Sequence, residues 1–370
     1  MNDLKPAFER DLDRLPQPPR WDSIEARSRE PRLLEAQAEP PLAHPPVRSR
    51  IGAIAVAAAL TGAVVFGGIV ALRHQPSQPS ATTSPVIDQQ TAQVVDLNGS
   101  TTSSFPPLPD GAYAPALAPD GTTLAFVVRI GGSDQIVVRG TGGDEQILPA
   151  GLAGSFPVWS PDGTAIAFQG QRPGREDDIY VVNVASRFVQ RLTTSPFKDE
   201  LAAWSPDGTT IAYVNDGTQP TDASGSSPTT SIWTVPTNGG EPRQLFAREG
   251  ASGPTFAPDG QLIAFQTPEG LWSAELNGSN VRQLADVGGA PRWSPDGSTI
   301  AFLSYDPSWR ATIEIFDEVI DVPVLSVGLL DVETGRQHLL PGVQVATASN
   351  PPTWTSAGDA LFVFRVQQPS

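Results

Sequence analysis

A ten-residue unit that recurs six times constrains the fold of this chain more than any other feature of its sequence. The copies are LAPDGTTLAF from Leu117, WSPDGTAIAF from Trp159, WSPDGTTIAY from Trp204, FAPDGQLIAF from Phe256, WSPDGSTIAF from Trp293 and the degenerate WTSAGDALFV from Trp354. Their starts lie 42, 45, 52, 37 and 61 residues apart. Such a period is typical of a β-propeller in which each copy belongs to one blade.

Each unit predicts a tight turn between two antiparallel strands. Pro fixes φ at the first corner, Asp bonds neighbouring backbone amides, and Gly supplies the positive φ that the reversal needs. In the strand that follows, Ile166 and Phe168 alternate with Ala165 and Ala167, so both faces are apolar, as expected of sheets stacked face to face around an axis. We interpret the repeated aspartates as structural turn residues, with a catalytic or metal-binding ring as the alternative; they are Asp120, Asp162, Asp207, Asp259 and Asp296.

A second hairpin follows most units, so that each repeat predicts a four-stranded blade with strands A to D. Hairpins of this kind begin at Ile179, Ile232, Leu271 and Val327. The last repeat has none before Ser370, but the upstream segment Gln93–Phe105 has the same pattern of strand, Asn-Gly turn and strand. The sequence therefore predicts an all-β fold, a six-bladed propeller whose N-terminal strands close the last blade and remove two open sheet edges.

Over residues 91–370 the chain resembles the TolB-like six-bladed β-propellers, whose repeats carry WSPDG-x-x-I-A-F followed by an I-Y-x-x-x hairpin that ends in L-T. Five strong copies of the unit carry the resemblance. Related propellers include a periplasmic scaffold that binds a lipoprotein and colicins, regulatory caps of serine peptidases, and sensor domains of membrane proteins. The resemblance therefore implies the fold and suggests partner binding. Only the repeat residues match, so it assigns no partner-binding residue.

The variation in length falls at one end of the blades, which we interpret as a binding rim. We expect the B-to-C connections at residues 169–178, 214–230 and 303–326, with only 266–270 in the fourth blade. Long irregular connections on a rigid scaffold commonly bind partners, and Trp, Tyr and Arg dominate interface hot spots. A rim whose charges are merely solvated is the alternative. The candidate residues for binding a protein, peptide or glycan are Arg172, Arg175, Glu176, Asp177, Asp178, Lys198, Asp199, Glu200, Tyr305, Asp306, Trp309 and Arg310.

Residues 51–72 predict a single transmembrane helix. These 22 residues are uncharged and mostly apolar, and at ~1.5 Å per residue a helix of this length matches the hydrocarbon core of a bilayer. Arg48 and Arg50 precede the segment and only Arg73 directly follows it. The positive-inside rule therefore predicts a cytoplasmic N-terminus and an extracytoplasmic propeller at the plasma membrane. A cleaved signal peptide is the alternative, although the segment and the residues before it are long for one.

The remaining segments complete a prediction of four regions. Residues 1–50 form a cytoplasmic tail, partly disordered with short helices, because an apolar stripe from Leu4 to Leu15 ends at Pro16. Residues 73–90 form a Pro/Ser/Thr-rich linker, and residues 91–370 form the propeller. Since the short tail helices are unstable alone, the tail is a candidate site for a cytoplasmic protein partner.

Composition excludes several kinds of site. The chain has no Cys, which rules out disulfides, thiolate-bound metals and thiol nucleophiles. Its three histidines, His44, His74 and His338, are too dispersed for a catalytic triad or a zinc site, and no G-x-S-x-G motif occurs. Residues 74–370 hold 14 basic and 31 acidic residues, a balance that argues against nucleic-acid binding. We therefore expect no catalytic residue, no cofactor and no metal.

These observations favour a non-enzymatic, membrane-anchored propeller that binds a partner as a scaffold or a sensor. One alternative is an anti-sigma-like transmembrane signalling protein that uses the short tail, although the tail lacks a His/Cys zinc motif. Another is a propeller enzyme of the lactonase or lyase type, which would need a polar, metal-ready channel mouth.

Overall fold

The computed structural model describes residues 90–140, 142–148, 153–172, 175–217, 230–315, 318–346 and 351–366. Every regular element in these ranges is a β-strand. Within them no helix is long and apolar enough to cross a membrane. The predicted tail, transmembrane segment and linker lie outside the described residues, apart from Gln90 at the end of the linker.

The first two strands, β1 (Gln90–Asp96) and β2 (Thr101–Ser104), precede four sheets that are each a four-stranded antiparallel meander. We number these sheets blades 1 to 4 and their strands A to D. Blade 1 comprises β3 (Tyr113–Leu117), β4 (Leu124–Ile130), β5 (Ser133–Arg139) and β6 (Glu145–Ile147). Blade 2 comprises β7 (Ala153–Trp159), β8 (Ala165–Gln171), β9 (Asp177–Asn183) and β10 (Val189–Arg191). Blade 3 comprises β11 (Asp199–Trp204), β12 (Thr210–Asn215), β13 (Ser231–Pro236) and β14 (Arg243–Ala247). Blade 4 comprises β15 (Ser252–Phe256), β16 (Leu262–Thr267), β17 (Gly270–Glu275) and β18 (Arg282–Ala285).

A fifth sheet has eight strands and contains two blades joined at one edge. Blade 5 comprises β19 (Gly289–Trp293), β20 (Thr299–Ile315), β21 (Glu318–Asp331) and β22 (Gln337–Ala346). Blade 6 comprises β23 (Thr353–Trp354) and β24 (Ala360–Val366), followed by β1 and β2. The two blades meet where Val345 of β22 pairs with Arg365 of β24.

The N-terminal strands complete the last blade, which confirms the expectation from the sequence. β1 pairs with β24 in an unbroken antiparallel register from Gln90↔Val366 to Asp96↔Ala360. On one face of β1, Val94 joins a core cluster with Phe126 of blade 1, and Val95 on the other face joins a cluster with blade 5. β1 therefore fills sheet and core positions that would otherwise be open at the junction of the chain's two ends.

Large and small side chains alternate between the two faces of the B strands of blades 2 to 5, as predicted. Ile166 and Phe168 of β8 pack in one cluster with Ile136 of blade 1, whereas Ala167 faces a cluster with Ile211 of blade 3. The large residues of one blade thus pack against the preceding blade, and the alanine makes room for the large residues of the next. Burial on both faces accounts for strands that lack a polar side.

A bulge near the start of each A strand in blades 1 to 5 interrupts the pairing with strand B. The second residue of the bulged segment has a positive φ in every case: Ala114, Phe156, Leu201, Gly253 and Ala290. In blade 3, the amide of Leu201 donates to Oε1 of buried Gln169 in blade 2, at 3.3 Å. This contact between blades holds the start of β11, where several candidate residues lie, against blade 2.

The longest B-to-C connection is ordered as sheet, so the expectation of an irregular loop at residues 303–326 is wrong. β20 and β21 continue beyond the blade as a two-stranded ribbon, paired from Arg310↔Pro323 to Ile315↔Glu318. The segment is rich in β-branched residues that favour strands. The connection at residues 169–178 is likewise mostly strand, because β8 runs to Gln171 and β9 begins at Asp177. Of the remaining connection, at residues 214–230, residues 218–229 lie outside the described residues.

Three of the four tryptophans that open repeats link neighbouring blades through their indole N–H groups. Nε1 of Trp159 donates to the carbonyl of Ala116 in blade 1 at 3.1 Å, and Trp204 and Trp354 make equivalent bonds to Val158 and Arg292. We expect Trp159→Phe to lower the free energy of unfolding by about 1–2 kcal/mol, because it leaves the Ala116 carbonyl without this donor. Chemical denaturation measures this difference.

Trp293 provides a matched control for that substitution. Its Nε1 is buried and has no hydrogen-bond partner among the described residues. Trp293→Phe should therefore cost clearly less than Trp159→Phe. Equal losses would show that ring volume, rather than the bond between blades, determines the effect.

Candidate functional site

The blades present two ends with different chemistry. The A-to-B and C-to-D turns form one end, which we call the turn rim. The B-to-C connections and the links from each D strand to the next A strand form the other, which we call the connection rim. The sequence-predicted partner-binding residues lie at this end of the blades: between the end of β8 and the start of β9, around the start of β11, and in β20.

A lysine joins two carboxylates across blades 2 and 3. Nζ of Lys198 lies 2.5 Å from Oε2 of Glu200 and 3.9 Å from Oδ2 of Asp177. Burial lowers the pKa of Lys198, but Glu200 and Asp177 outweigh burial and raise it above its usual value. Burial raises the pKa of Asp177 in spite of Lys198. The structure therefore brings these three predicted residues into one half-buried charged network.

Asp178 makes a separate ion pair with a residue that the sequence analysis did not identify. Its Oδ2 lies 2.6 Å from Nη2 of Arg191 in β10, and the Asp178 side chain is almost fully buried. Burial raises the pKa of Asp178, although Arg191, Arg172 and Arg175 act in the opposite direction. Arg191 is paired in register with Tyr180, and the guanidinium of Arg172 lies 5.9 Å from the centre of the Tyr180 ring. The sequence shows only that Arg191 lies in the second hairpin of its repeat. Its pairing with Asp178 could not be predicted, because the ion pair depends on strand register.

Asp199 is fully buried at the start of β11. Its Oδ1 accepts a 2.6 Å bond from Nδ2 of Asn215, which lies directly opposite on β12, while its Oδ2 has no hydrogen-bond partner among the residues that the structure describes. Burial raises the pKa of Asp199 to about 6 despite the Asn215 bond. This carboxyl group is therefore internal rather than part of the exposed rim.

The other candidates lie on different parts of the same rim. Arg172 and Arg175 are exposed on either side of the turn between β8 and β9, and Glu176 is half-buried. Tyr305, with 44% of its surface exposed, lies in β20 of blade 5. The side chains of Asp306, Trp309 and Arg310 lie outside the described residues, although their backbone belongs to β20.

The repeated aspartates lie in the turns of the opposite rim and bond within their own turns. In blade 2, Oδ1 of Asp162 accepts bonds from Oγ of Ser160 and the amide of Thr164. The Ser160 bond is the main reason why the pKa of Asp162 is below its usual value. In the other turns, the amide two residues later donates an equivalent bond to the aspartate; these aspartates are Asp120, Asp207, Asp259 and Asp296. Within the described ranges, no three His, Cys, Asp or Glu side chains are grouped to hold a metal ion.

Comparison with solved structures places this architecture among known propellers. The structure is similar to a putative TolB from Agrobacterium tumefaciens, with a TM-score of 0.58 and 21% identity over 76% of this chain and 99% of the other. It is similar to TolB from Acinetobacter baumannii, with a TM-score of 0.52 and 20% identity over 76% of this chain and 65% of the other. An oligogalacturonate lyase from Vibrio parahaemolyticus matches with a TM-score of 0.49 and 16% identity over 74% of this chain and 78% of the other. At these identities the likeness concerns the fold alone.

Sequence comparison identifies the family. A search of curated proteins found no match. The model of the TolB beta propeller domain matches residues 88–317, which is more than half of the chain. The match begins just before β1 and extends into the ribbon of blade 5. This chain therefore belongs to the TolB β-propeller domain family.

Proposed function

We propose that this protein is a non-enzymatic, membrane-anchored propeller that binds a protein, peptide or glycan partner at its connection rim, as a scaffold or a sensor. The observation that carries the proposal is the network of Lys198, Glu200 and Asp177, which joins two blades at that rim. The exposed residues Arg172 and Arg175 lie close to the buried residue Asp178. Asp178 directly follows Asp177 of the network in the sequence. The rim therefore offers charges of both signs.

The arrangement of these side chains supports binding. Lys198 is already held by two carboxylates, and its backbone amide donates to Oδ1 of Asp216 at 3.3 Å. Side chains that are ordered before association lose less conformational entropy when a partner binds. Charges of both signs near a rim also favour partners with a complementary pattern and exclude others. A partner with alternating acidic and basic groups fits this surface best.

The anchor in the proposal comes from the sequence. A transmembrane helix at residues 51–72 with a cytoplasmic N-terminus would hold the propeller outside the plasma membrane, on a spacer formed by residues 73–90. The acidic balance of residues 74–370 would repel anionic headgroups and keep the domain away from the lipid surface. The rim would then be free to meet a partner in the extracytoplasmic space.

Crosslinking in the native membrane tests the proposal. We expect a crosslinked partner to be recovered with the full chain, and its recovery to fall at least tenfold with Lys198→Ala because the network loses its cation. The double variant Trp309→Ala/Arg310→Ala tests the ribbon in the same way. Quantitative mass spectrometry of the recovered material provides the measurement.

Arg336→Ala is the matched control, since Arg336 is an exposed basic residue on the turn rim. It should leave recovery unchanged. If all three variants recover the partner as well as the unmodified chain does, the partner does not bind the connection rim.

A further inference from the structure

A groove between blades 2 and 3 lies on the turn rim, at the opposite end of the blades from the proposed binding surface. Its volume is about 530 Å³, which is within the range of ordinary ligand sites, roughly 300–1,000 Å³. One wall carries Phe188 and Gln190 of blade 2, and the other carries Trp204 of blade 3. The Pro-Asp-Gly turns of both blades contribute Asp162 and Asp207.

The charge in the groove is negative. The bonds that Asp162 and Asp207 accept from Ser160 and Ser205 hold the pKa of each carboxyl group below its usual value, so both are ionised at neutral pH. Among the described residues, Oδ2 of each carboxylate accepts one bond, from the Thr hydroxyl two residues later, and it keeps further acceptor capacity. Among the described residues that line the groove there is no Lys, Arg or His. The guanidinium of nearby Arg187 instead donates to the carbonyl of Ile147 in blade 1.

Aromatic surface lies beside these carboxylates. Phe188 is 66% exposed, which is the largest exposure of any large hydrophobic side chain in the described part of the chain. Nε1 of Trp204 already donates to the carbonyl of Val158, so its ring, rather than its N–H group, is what the groove presents. Aromatic faces attract ammonium and guanidinium groups and also bind apolar side chains.

We propose that this groove binds a basic peptide segment of a partner protein, with an Arg or Lys side chain at Asp162 and Asp207 and a neighbouring apolar side chain against Phe188 and Trp204. Charge complementarity selects a cationic occupant, since the described lining of the groove holds two ionised carboxylates and no basic side chain. The aromatic wall selects a peptide over a metal ion, because a metal ion would leave Phe188 exposed.

Calorimetric titration of the full chain tests this proposal with two synthetic probes, the acetylated and amidated tripeptides Arg-Phe-Arg and Glu-Phe-Glu. We expect the basic peptide to bind at least tenfold more tightly than the acidic one and to weaken as salt is raised. Phe188→Ser and the double variant Asp162→Asn/Asp207→Asn should each weaken the basic peptide at least tenfold. Asn keeps an oxygen that accepts the turn bonds while removing the charge.

Asp296→Asn is the matched control, because Asp296 makes the same turn bonds in blade 5 outside the groove. It should share any effect on stability and leave peptide affinity unchanged. If the double variant unfolds, Phe188→Ser still tests whether the groove binds the peptide. The Phe188 side chain is largely exposed, so its replacement should not unfold the protein. Absence of binding, equal affinity for both peptides, equal affinity for free arginine, or affinity unaffected by the groove variants would each overturn the proposal.

Discussion

Deletion of Gln90–Ser104 is expected to abolish the cooperative unfolding of the propeller and to cause aggregation. The deletion removes β1 and β2, so β24 loses its seven paired residues and exposes an open edge in blade 6. It also removes Ala92, Val94 and Val95, which are all buried. At about 1.5–3 kcal/mol for a buried Val, these losses and the lost ladder are comparable with the whole stability of a domain, roughly 5–15 kcal/mol.

Thermal unfolding followed by circular dichroism, together with size-exclusion chromatography, measures this effect. The graded variant Val95→Ala should retain the fold and lose about 2 kcal/mol, because it leaves a cavity between β1 and blade 5. Ser103→Lys in exposed β2 is the control and should change little. A deletion variant that melts at the same temperature as the unmodified chain would show that the ring closes without these strands.

Asp199→Asn is expected to stabilise the protein at neutral pH. Burial raises the pKa of Asp199 from its usual 3.8 to about 6, so the folded chain holds this proton more tightly than the unfolded chain does. Stability therefore falls as pH rises from about 4 to 6 and stays lower above that window. A rise in pKa from 3.8 to about 6 corresponds to about 3 kcal/mol, and Asn avoids this cost while its oxygen still accepts the bond from Asn215.

Thermal melts at pH 4 and pH 7.5 measure this difference. We expect Asp199→Asn to raise the melting temperature by about 5 °C or more at pH 7.5, since each kcal/mol is worth about 2–4 °C in a domain of this size. The gain should largely disappear at pH 4, where the carboxyl group is protonated. Asp286→Asn, which alters an exposed aspartate, should have no such effect. An equal gain at both pH values would mean that the charge of Asp199 is not the cause.

Most of the fold was predictable because the interactions that specify it join residues close in sequence. The bonds that Asp162 accepts from Ser160 and Thr164 lie within one turn, so the repeat unit itself specifies where each A strand reverses into a B strand. The alternation of Ile166, Ala167 and Phe168 likewise specifies two buried faces. The pairing of β1 with β24 was predictable for a different reason: the last repeat lacked a hairpin and an upstream segment matched it.

Residues distant in sequence explain what could not be predicted about the candidate site. The partner of Asp178 is Arg191, and this pairing depends on the register of β9 and β10. Asp199 looks like its charged neighbours Lys198 and Glu200 in the sequence, yet it is buried beside Asn215. The connection at residues 303–326 is long enough to be read as an irregular loop in the sequence, but it forms the paired strands of the ribbon.

The sequence by itself determined the repeat, the all-β class, the closure by N-terminal strands and the acidic balance of the propeller, because turn chemistry and strand alternation are local properties. Only the tertiary structure decided which charged residues of the rim meet, and only it revealed the groove that Phe188, Trp204, Asp162 and Asp207 line. These features arise between adjacent blades. Their geometry depends on how two sheets stack and in what register, and no single repeat contains that information.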